Sequence, residues 1–300
     1  MKRISNLFLI LLLTICGSAF NSVLAQPSSY SQPTASSPKI TLTLPNRKDS
    51  VRFLAIGDTG RGNKEQNELA QVMLEYHGGF PYEFVLMTGD NIYGKEKAAD
   101  MKAKFEDVYK PILEKGVKFY ASLGNHDESN QRFYEHFNME GEEYYRIKKG
   151  DVSFYALNSN YMDKRQIKWL EEKLSGDTSK WKIAFFHHPP YSSGGRHGSS
   201  EDIREIVEPL FIKYNVSAVF AGHEHFYERI KPQKGIHYFI TGAGGKIAKG
   251  DVKDRSPLTA KAYDQDLSFM LLEVVGDEMH FQVISRTGAT VDSGIIKRRT

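Results

Sequence analysis

Cysteine is all but absent. Cys16 is the only one in 300 residues, so an intramolecular disulfide scaffold and a thiolate-rich metal site are both excluded. Charge bias is absent too: 40 Lys and Arg stand against 37 Asp and Glu. Neither sign dominates, which argues against a general binder of nucleic acid or acidic membrane surfaces. The only long apolar stretch lies at the N-terminus and falls short of the roughly 20 residues a membrane span needs. Internal repeats are missing. So is a nucleotide-binding P-loop, because Gly242-Ala243-Gly244-Gly245-Lys246 lacks its Lys-Ser/Thr ending. Residues 242–250 are expected instead to form one lip of a functional cleft. Tyr and Phe are numerous but scatter through apolar runs, as core residues do.

What is present begins with an export signal. Lys2 and Arg3 precede an apolar stretch over residues 7–14, and Val23-Leu24-Ala25 supplies small residues for cleavage. Residues 1–25 are expected to be a secretory signal peptide, with a lipid anchor at Cys16 as the alternative. Residues 26–48 open on a stretch rich in Ser, Pro and Gln and are expected to form an extended linker. Residues 49–300 are then long enough for one catalytic domain with a sizeable core. Once the signal is removed no cysteine remains, and that core must carry the stability.

The domain alternates between strand and helix. β-rich apolar runs at 51–56, 83–88 and 117–123 are separated by helical patterns at 63–76 and 97–113, and a short helix is expected at 131–137. An antiparallel pair at 144–147 and 152–158 follows, then a helix at 164–174, a strand at 182–186, a helix at 203–214 and a strand at 218–221. The remainder is mostly strand, at 237–241, 269–275, 279–285 and 291–295. This order predicts an α/β (α+β) fold, a four-layer αββα sandwich of two mixed sheets flanked by helices.

Five short motifs sit where apolar runs give way to Gly or Pro. They are Gly57-Asp58-Thr59-Gly60, Gly89-Asp90-Asn91-Ile92-Tyr93, Gly124-Asn125-His126-Asp127, Phe186-His187-His188-Pro189 and Gly222-His223-Glu224-His225. Together they offer Asp58, Asp90, Tyr93, Asn125, His187, His223 and His225, an oxygen and nitrogen set suited to iron, zinc or manganese. His188 competes with His187 as the ligand of the fourth motif. All five motifs are expected at strand carboxyl ends, where open α/β sheets place ligands. Two ions held close together are a device for hydrolysing phosphate esters.

The ordered set GDxG, GDxxY, GNH(D/E), HxP and GHxH resembles the purple acid phosphatase branch of the metallophosphoesterases, and the size resembles its small tartrate-resistant members. The likeness implies that Asp58, Tyr93 and His225 bind one ion, Fe(III), as a phenolate-coloured centre. Asn125, His187 and His223 would bind a divalent Fe, Zn or Mn, and Asp90 would bridge the two. It further implies that His126 contacts the substrate phosphate and that His197 protonates the leaving group.

The expected activity is that of an exported acid phosphatase. It would hydrolyse small phosphomonoesters by attack of a metal-bound hydroxide on phosphorus. Three alternatives follow from the same residues: a phosphodiesterase or nucleotide hydrolase, a non-catalytic phospholigand-binding protein, and a redox side activity of the iron. The run Lys297-Arg298-Arg299 is expected to be a solvated tail, Asp127 an outer partner orienting a histidine, and Glu228-Arg229 an ion pair.

Overall fold

A computed structural model describes residues 41–252 and 256–300. The expected signal peptide, Cys16 and most of the expected linker lie outside them. Among the described residues no helix is long and apolar enough to cross a membrane.

Two mixed sheets form the inner layers. The first has six strands in the order β13-β12-β11-β1-β2-β3: Thr290–Lys297, Glu278–Ser285, Ser268–Val275, Val51–Ile56, Phe84–Met87 and Lys118–Ala121. The second has seven strands in the order β10-β8-β9-β7-β6-β5-β4: Thr259–Tyr263, Tyr227–Ile230, His237–Thr241, Ala218–Ala221, Trp181–Phe185, Val152–Ala156 and Tyr145–Lys149. Parallel pairing joins β1 to β2 to β3, and β5 to β6 to β7 to β9. Parallel strands need crossovers, and helices supply most of them. The six-stranded sheet carries α1 (Lys64–Gly79), α2 (Ala98–Met101) and α3 (Asp107–Leu113). The other carries α4 (Lys164–Ser175) and α5 (Glu201–Lys213).

Strand alternation builds the layers. Phe53 and Ala55 of β1 face the second sheet with Phe154, Phe185 and Phe220, while Leu54 and Ile56 face α1 and α3. Phe53 meets Phe154 edge-on at 5.1 Å and stacks on Phe84 at 5.4 Å, contacts worth about 0.5–1.5 kcal/mol each beyond the area they bury. A third cluster, with Leu170, Val207 and Phe211, packs α4 and α5 on the seven-stranded sheet. These are the expected four αββα layers.

Several details depart from expectation. The single helix of 97–113 is three pieces, with a π-helical turn at Lys102–Glu106 between α2 and α3. That turn has local work: Gln66 donates to the Lys104 carbonyl at 3.2 Å, and Lys104 Nζ donates to the Tyr93 carbonyl at 2.8 Å. Two strands, β8 and β10, were not expected. Residues 41–48 are laid against the six-stranded sheet rather than free. Leu44 is buried, and the amides of Asn46 and Arg47 donate to the Glu273 carboxylate at 2.7 and 2.6 Å. The terminal basic run is held as well, with Arg298 bonded to Asp277 and the Arg299 amide to Ser217.

Candidate metal centre

Each of the five motifs follows a strand that ends at the same edge of the sandwich. Asp58 comes after β1, Asp90 after β2, Asn125 after β3, His187 after β6, and His223 and His225 after β7. Asp58, Asp90 and His223 adopt left-handed backbone, with φ of 55°, 51° and 71°. Non-glycine residues seldom accept this conformation, and where they do it tends to mark a functional turn. The adjacent glycines let the loops approach closely: a Cβ on Gly124 would lie 2.2 Å from the Asp90 amide nitrogen.

Two groups of donors result. In one, Tyr93 donates its hydroxyl hydrogen to Asp58 Oδ1 at 3.0 Å, and His225 Nε2 lies 3.3 Å from the same phenol oxygen and 3.4 Å from Asp58 Oδ1. In the other, His187 Nε2 lies 3.0 Å from Asn125 Oδ1, 3.1 Å from His223 Nδ1 and 3.3 Å from Asp90 Oδ1. His187 Nδ1 donates to the Thr88 carbonyl at 3.0 Å, so the lone pair of the neutral ring points into the cluster. The cluster of Asp58, Asp90 and His225 and that of His187, His188 and His223 each bring their donor atoms within 4.8 Å of one another.

The electrostatics fit cations. Burial and the charge of Asp90 hold the Asp58 carboxyl well above the usual carboxylate range. Burial pushes Asp90 up as well, but the His187 ring, the His126 amide and the Tyr93 hydroxyl outweigh it and hold it low. Burial and the two carboxylates push the Tyr93 phenol far up. Burial takes His187 and His225 down to about 4 and, reinforced by the neighbouring imidazoles, His223 to about 2. Neutral imidazoles beside buried carboxylates, with lone pairs converging, form a set that positive ions would satisfy.

Above the donors is an open cleft of about 230 Å³ lined by Asp90, Asn125, His126, Arg196, His197, His223, His225 and Lys246. His126 and His197 therefore share it, the latter with its ring centroid 4.2 Å from that of His223. Lys246, from the expected lip, lies 3.3 Å above the Tyr93 ring centroid. Arg196 was not singled out as a cleft residue by the sequence, whereas Lys246 belongs to the segment expected as its lip. His188 hydrogen-bonds through Nδ1 to Ser159 Oγ at 2.8 Å and lines a second, neighbouring hollow with Asn160, Tyr161 and Asp202.

Asp127 does not orient a histidine. Its carboxylate accepts from the amides of Asn91, Ile92 and Gly124 and from the side chains of Asn91 and Gln131, at 2.7–3.2 Å. It ties the second motif to the third. Glu228 and Arg229 likewise serve other partners, Thr259 and Ser193 for the first and Asp292 for the second.

A family model described as Calcineurin-like phosphoesterase matches residues 51–227, the span that carries all five motifs. The chain belongs to that family. As a metallophosphoesterase it has relatives in the purple acid phosphatase branch. It is 25% identical to Purple acid phosphatase 17 of Arabidopsis thaliana, over 79% of this chain and 85% of the relative. It is 27% identical to Tartrate-resistant acid phosphatase type 5 of Oryctolagus cuniculus, over 69% and 77% respectively. The fold matches a purple acid phosphatase from Lupinus luteus with a TM-score of 0.71 at 17% identity, covering 85% of this chain and 55% of that one. It also matches GAP50, the anchor in the inner membrane complex of Plasmodium, with a TM-score of 0.73 at 20% identity over 84% and 90%. This metallophosphoesterase is a phosphoester hydrolase that works through a metal site.

Proposed function

We propose that the protein is an exported binuclear acid phosphatase acting on small phosphomonoesters. The observation that carries the proposal is the convergence of seven ligand-type side chains beneath one small cleft. On this reading Asp58, Asp90, Tyr93 and His225 hold Fe(III), and Asp90, Asn125, His187 and His223 hold a divalent Fe, Zn or Mn ion. The buried phenol favours the trivalent assignment. A hydroxyl whose pKa is raised by burial and two carboxylates ionises only against a strong cation. When bound, the two ions supply Lewis acidity and a water activated for in-line attack on phosphorus.

The chain's own residues do the rest. His126, on the cleft wall beside Asn125, binds a non-bridging phosphate oxygen. Lys246 and Arg196 add positive charge for a dianionic ester. His197 donates a proton to the departing oxygen, a role typically worth about 10²–10⁴ in rate. The cleft has room for a phosphoryl group and is open for the leaving group to extend outward, so it does not restrict the alcohol. Residues 1–25 serve as the export signal and residues 49–300 as the catalytic domain.

The test is turnover of mono- and bis-nitrophenyl phosphate by the purified chain, paired with elemental analysis. Faster monoester hydrolysis with two metals per chain supports the reading. A preference for the diester would move the protein to the phosphodiesterase alternative.

A further inference from the structure

Glu224 has no task in the scheme above, although it stands between two of the proposed ligands. It is only 1% exposed. Its Oε1 accepts the Gly198 amide at 2.6 Å and the Ser192 hydroxyl at 3.4 Å. Its Oε2 is buried with no hydrogen-bond partner. Burial of such a group is unfavourable unless its bonds are placed to good effect.

Those bonds all run to one loop, residues 192–198, which carries Arg196 and His197 at its tip. The loop is gripped elsewhere along its length. The Ser193 amide donates to Glu228 Oε2 at 3.0 Å, the Gly194 amide to Ser192 Oγ at 2.9 Å, and the Gly195 amide to the Asp251 carbonyl at 2.8 Å. Gly194 lies directly against the Glu224 carboxylate, where a Cβ would come within 2.3 Å of Oε1. Arg196 and His197 are exposed by comparison and reach the cleft. A mobile general acid loses the advantage of fixed geometry, since misplacement by about 1 Å can cost about 10²-fold.

We propose that Glu224 is a positioning residue whose carboxylate, anchored between His223 and His225, holds the 192–198 loop so that His197 faces the leaving group. The proposal rests on the reading of His197 as proton donor. The carboxylate thus acts on the reaction through hydrogen bonds to backbone, not through a contact with substrate.

The experiment compares an alkyl phosphate, whose alkoxide needs a proton, with nitrophenyl phosphate, whose phenolate departs more readily without one. The full chain and the variants His197→Ala, Glu224→Ala and the double variant are assayed. Glu224→Ala is expected to lower kcat about 10²-fold on the alkyl substrate and far less on the aryl one, with metal content unchanged. The double variant is expected to match His197→Ala alone. Equal losses on both substrates, additive losses in the double variant, or loss of metal would each overturn the proposal.

Two further variants guard against misfolding of Glu224→Ala. Glu224→Gln keeps one acceptor and should fall between wild type and alanine. Gly194→Ala places a methyl against the Glu224 carboxylate from the loop side of the same contact and should show the same leaving-group selectivity. Hydrogen exchange at the Gly198 amide reads the loop directly and should accelerate in Glu224→Ala. If His197→Ala alone shows no leaving-group selectivity, the proton-donor reading fails. In that case unchanged exchange at Gly198 also refutes the loop role of Glu224, whereas faster exchange retains it.

Discussion

His187 donates through Nδ1 to the Thr88 carbonyl at 3.0 Å, across the boundary between the two sheets. The bond fixes the tautomer and aims Nε2 at Asn125, His223 and Asp90. Such outer partners orient metal-binding imidazoles and make them more basic. His188 is bonded through Nδ1 to the Ser159 hydroxyl, which can donate or accept and so does not fix its tautomer, and it lines the neighbouring hollow.

This difference separates the two histidines experimentally. His187→Ala is expected to lose one of two metal equivalents, with a loss of activity exceeding the ~10–100-fold typical of removing an outer partner. His188→Ala is expected to keep both metals and to alter KM more than kcat. Elemental analysis with steady-state kinetics checks both.

Tyr93→Phe removes one oxygen from a buried site and leaves the ring in place. The variant is expected to fold, to lose the visible charge-transfer band of the iron-loaded protein, and to bind a trivalent ion more weakly. An absorption spectrum with metal titration decides it; an unchanged band would take Tyr93 out of the ligand set.

Gly124→Ala tests how tightly the third motif must approach the second. The added methyl would lie 2.2 Å from both the Asp90 amide nitrogen and its Oδ1. Overpacking of this kind costs roughly 1–3 kcal/mol, so a lower midpoint in urea is expected together with loss of metal. Retained stability and metal would contradict the close approach.

Asp177 provides a pH dependence remote from the centre. Burial raises its pKa, but bonds from the Tyr155 hydroxyl, the Ser179 amide and the Ser153 and Ser179 hydroxyls outweigh that and hold it at about 2. A carboxylate depressed on folding adds stability that is full above its unfolded pKa of about 3.9 and vanishes as pH falls through about 2. Its side chain is 1% exposed, so solvent screens the effect little. Asp177→Asn is expected to cost about 2 kcal/mol at neutral pH, and the gap from wild type should close between about pH 4 and 2. Urea midpoints across that range provide the check.

Much of this was legible in the chain because each motif follows an apolar run that becomes a strand. The donor positions are set by where the strands stop. β8 was not legible because Glu228 and Arg229 interrupt it, and their satisfaction depends on Ser193, Thr259 and Asp292, all remote in sequence. β10, Thr259–Tyr263, has only alanines between its polar residues, a weak strand signal. The packing of residues 41–48 is signalled by the alternation of Leu42 and Leu44, masked by the Ser- and Pro-rich stretch before it. The π-helical turn answers to Gln66, 38 residues from Lys104, and no local pattern reports such a partner. The loop role of Glu224 is hidden for the same reason, since its partners emerge only once the second sheet is folded.

The oxygen donors Asp58, Asp90, Tyr93 and Asn125 all follow strands of the six-stranded sheet, and His187, His223 and His225 all follow strands of the seven-stranded one. On the proposed assignment every ion is shared between the two halves and works as a rivet through the seam. Neither half alone supplies the full ligand set of either ion, so complete coordination becomes a report that the halves have docked. Any ion retained only by the docked state tightens that docking in proportion to the logarithm of its concentration over its dissociation constant. A chain with a single cysteine would then find in those ions the cross-link that its cysteine content denies it.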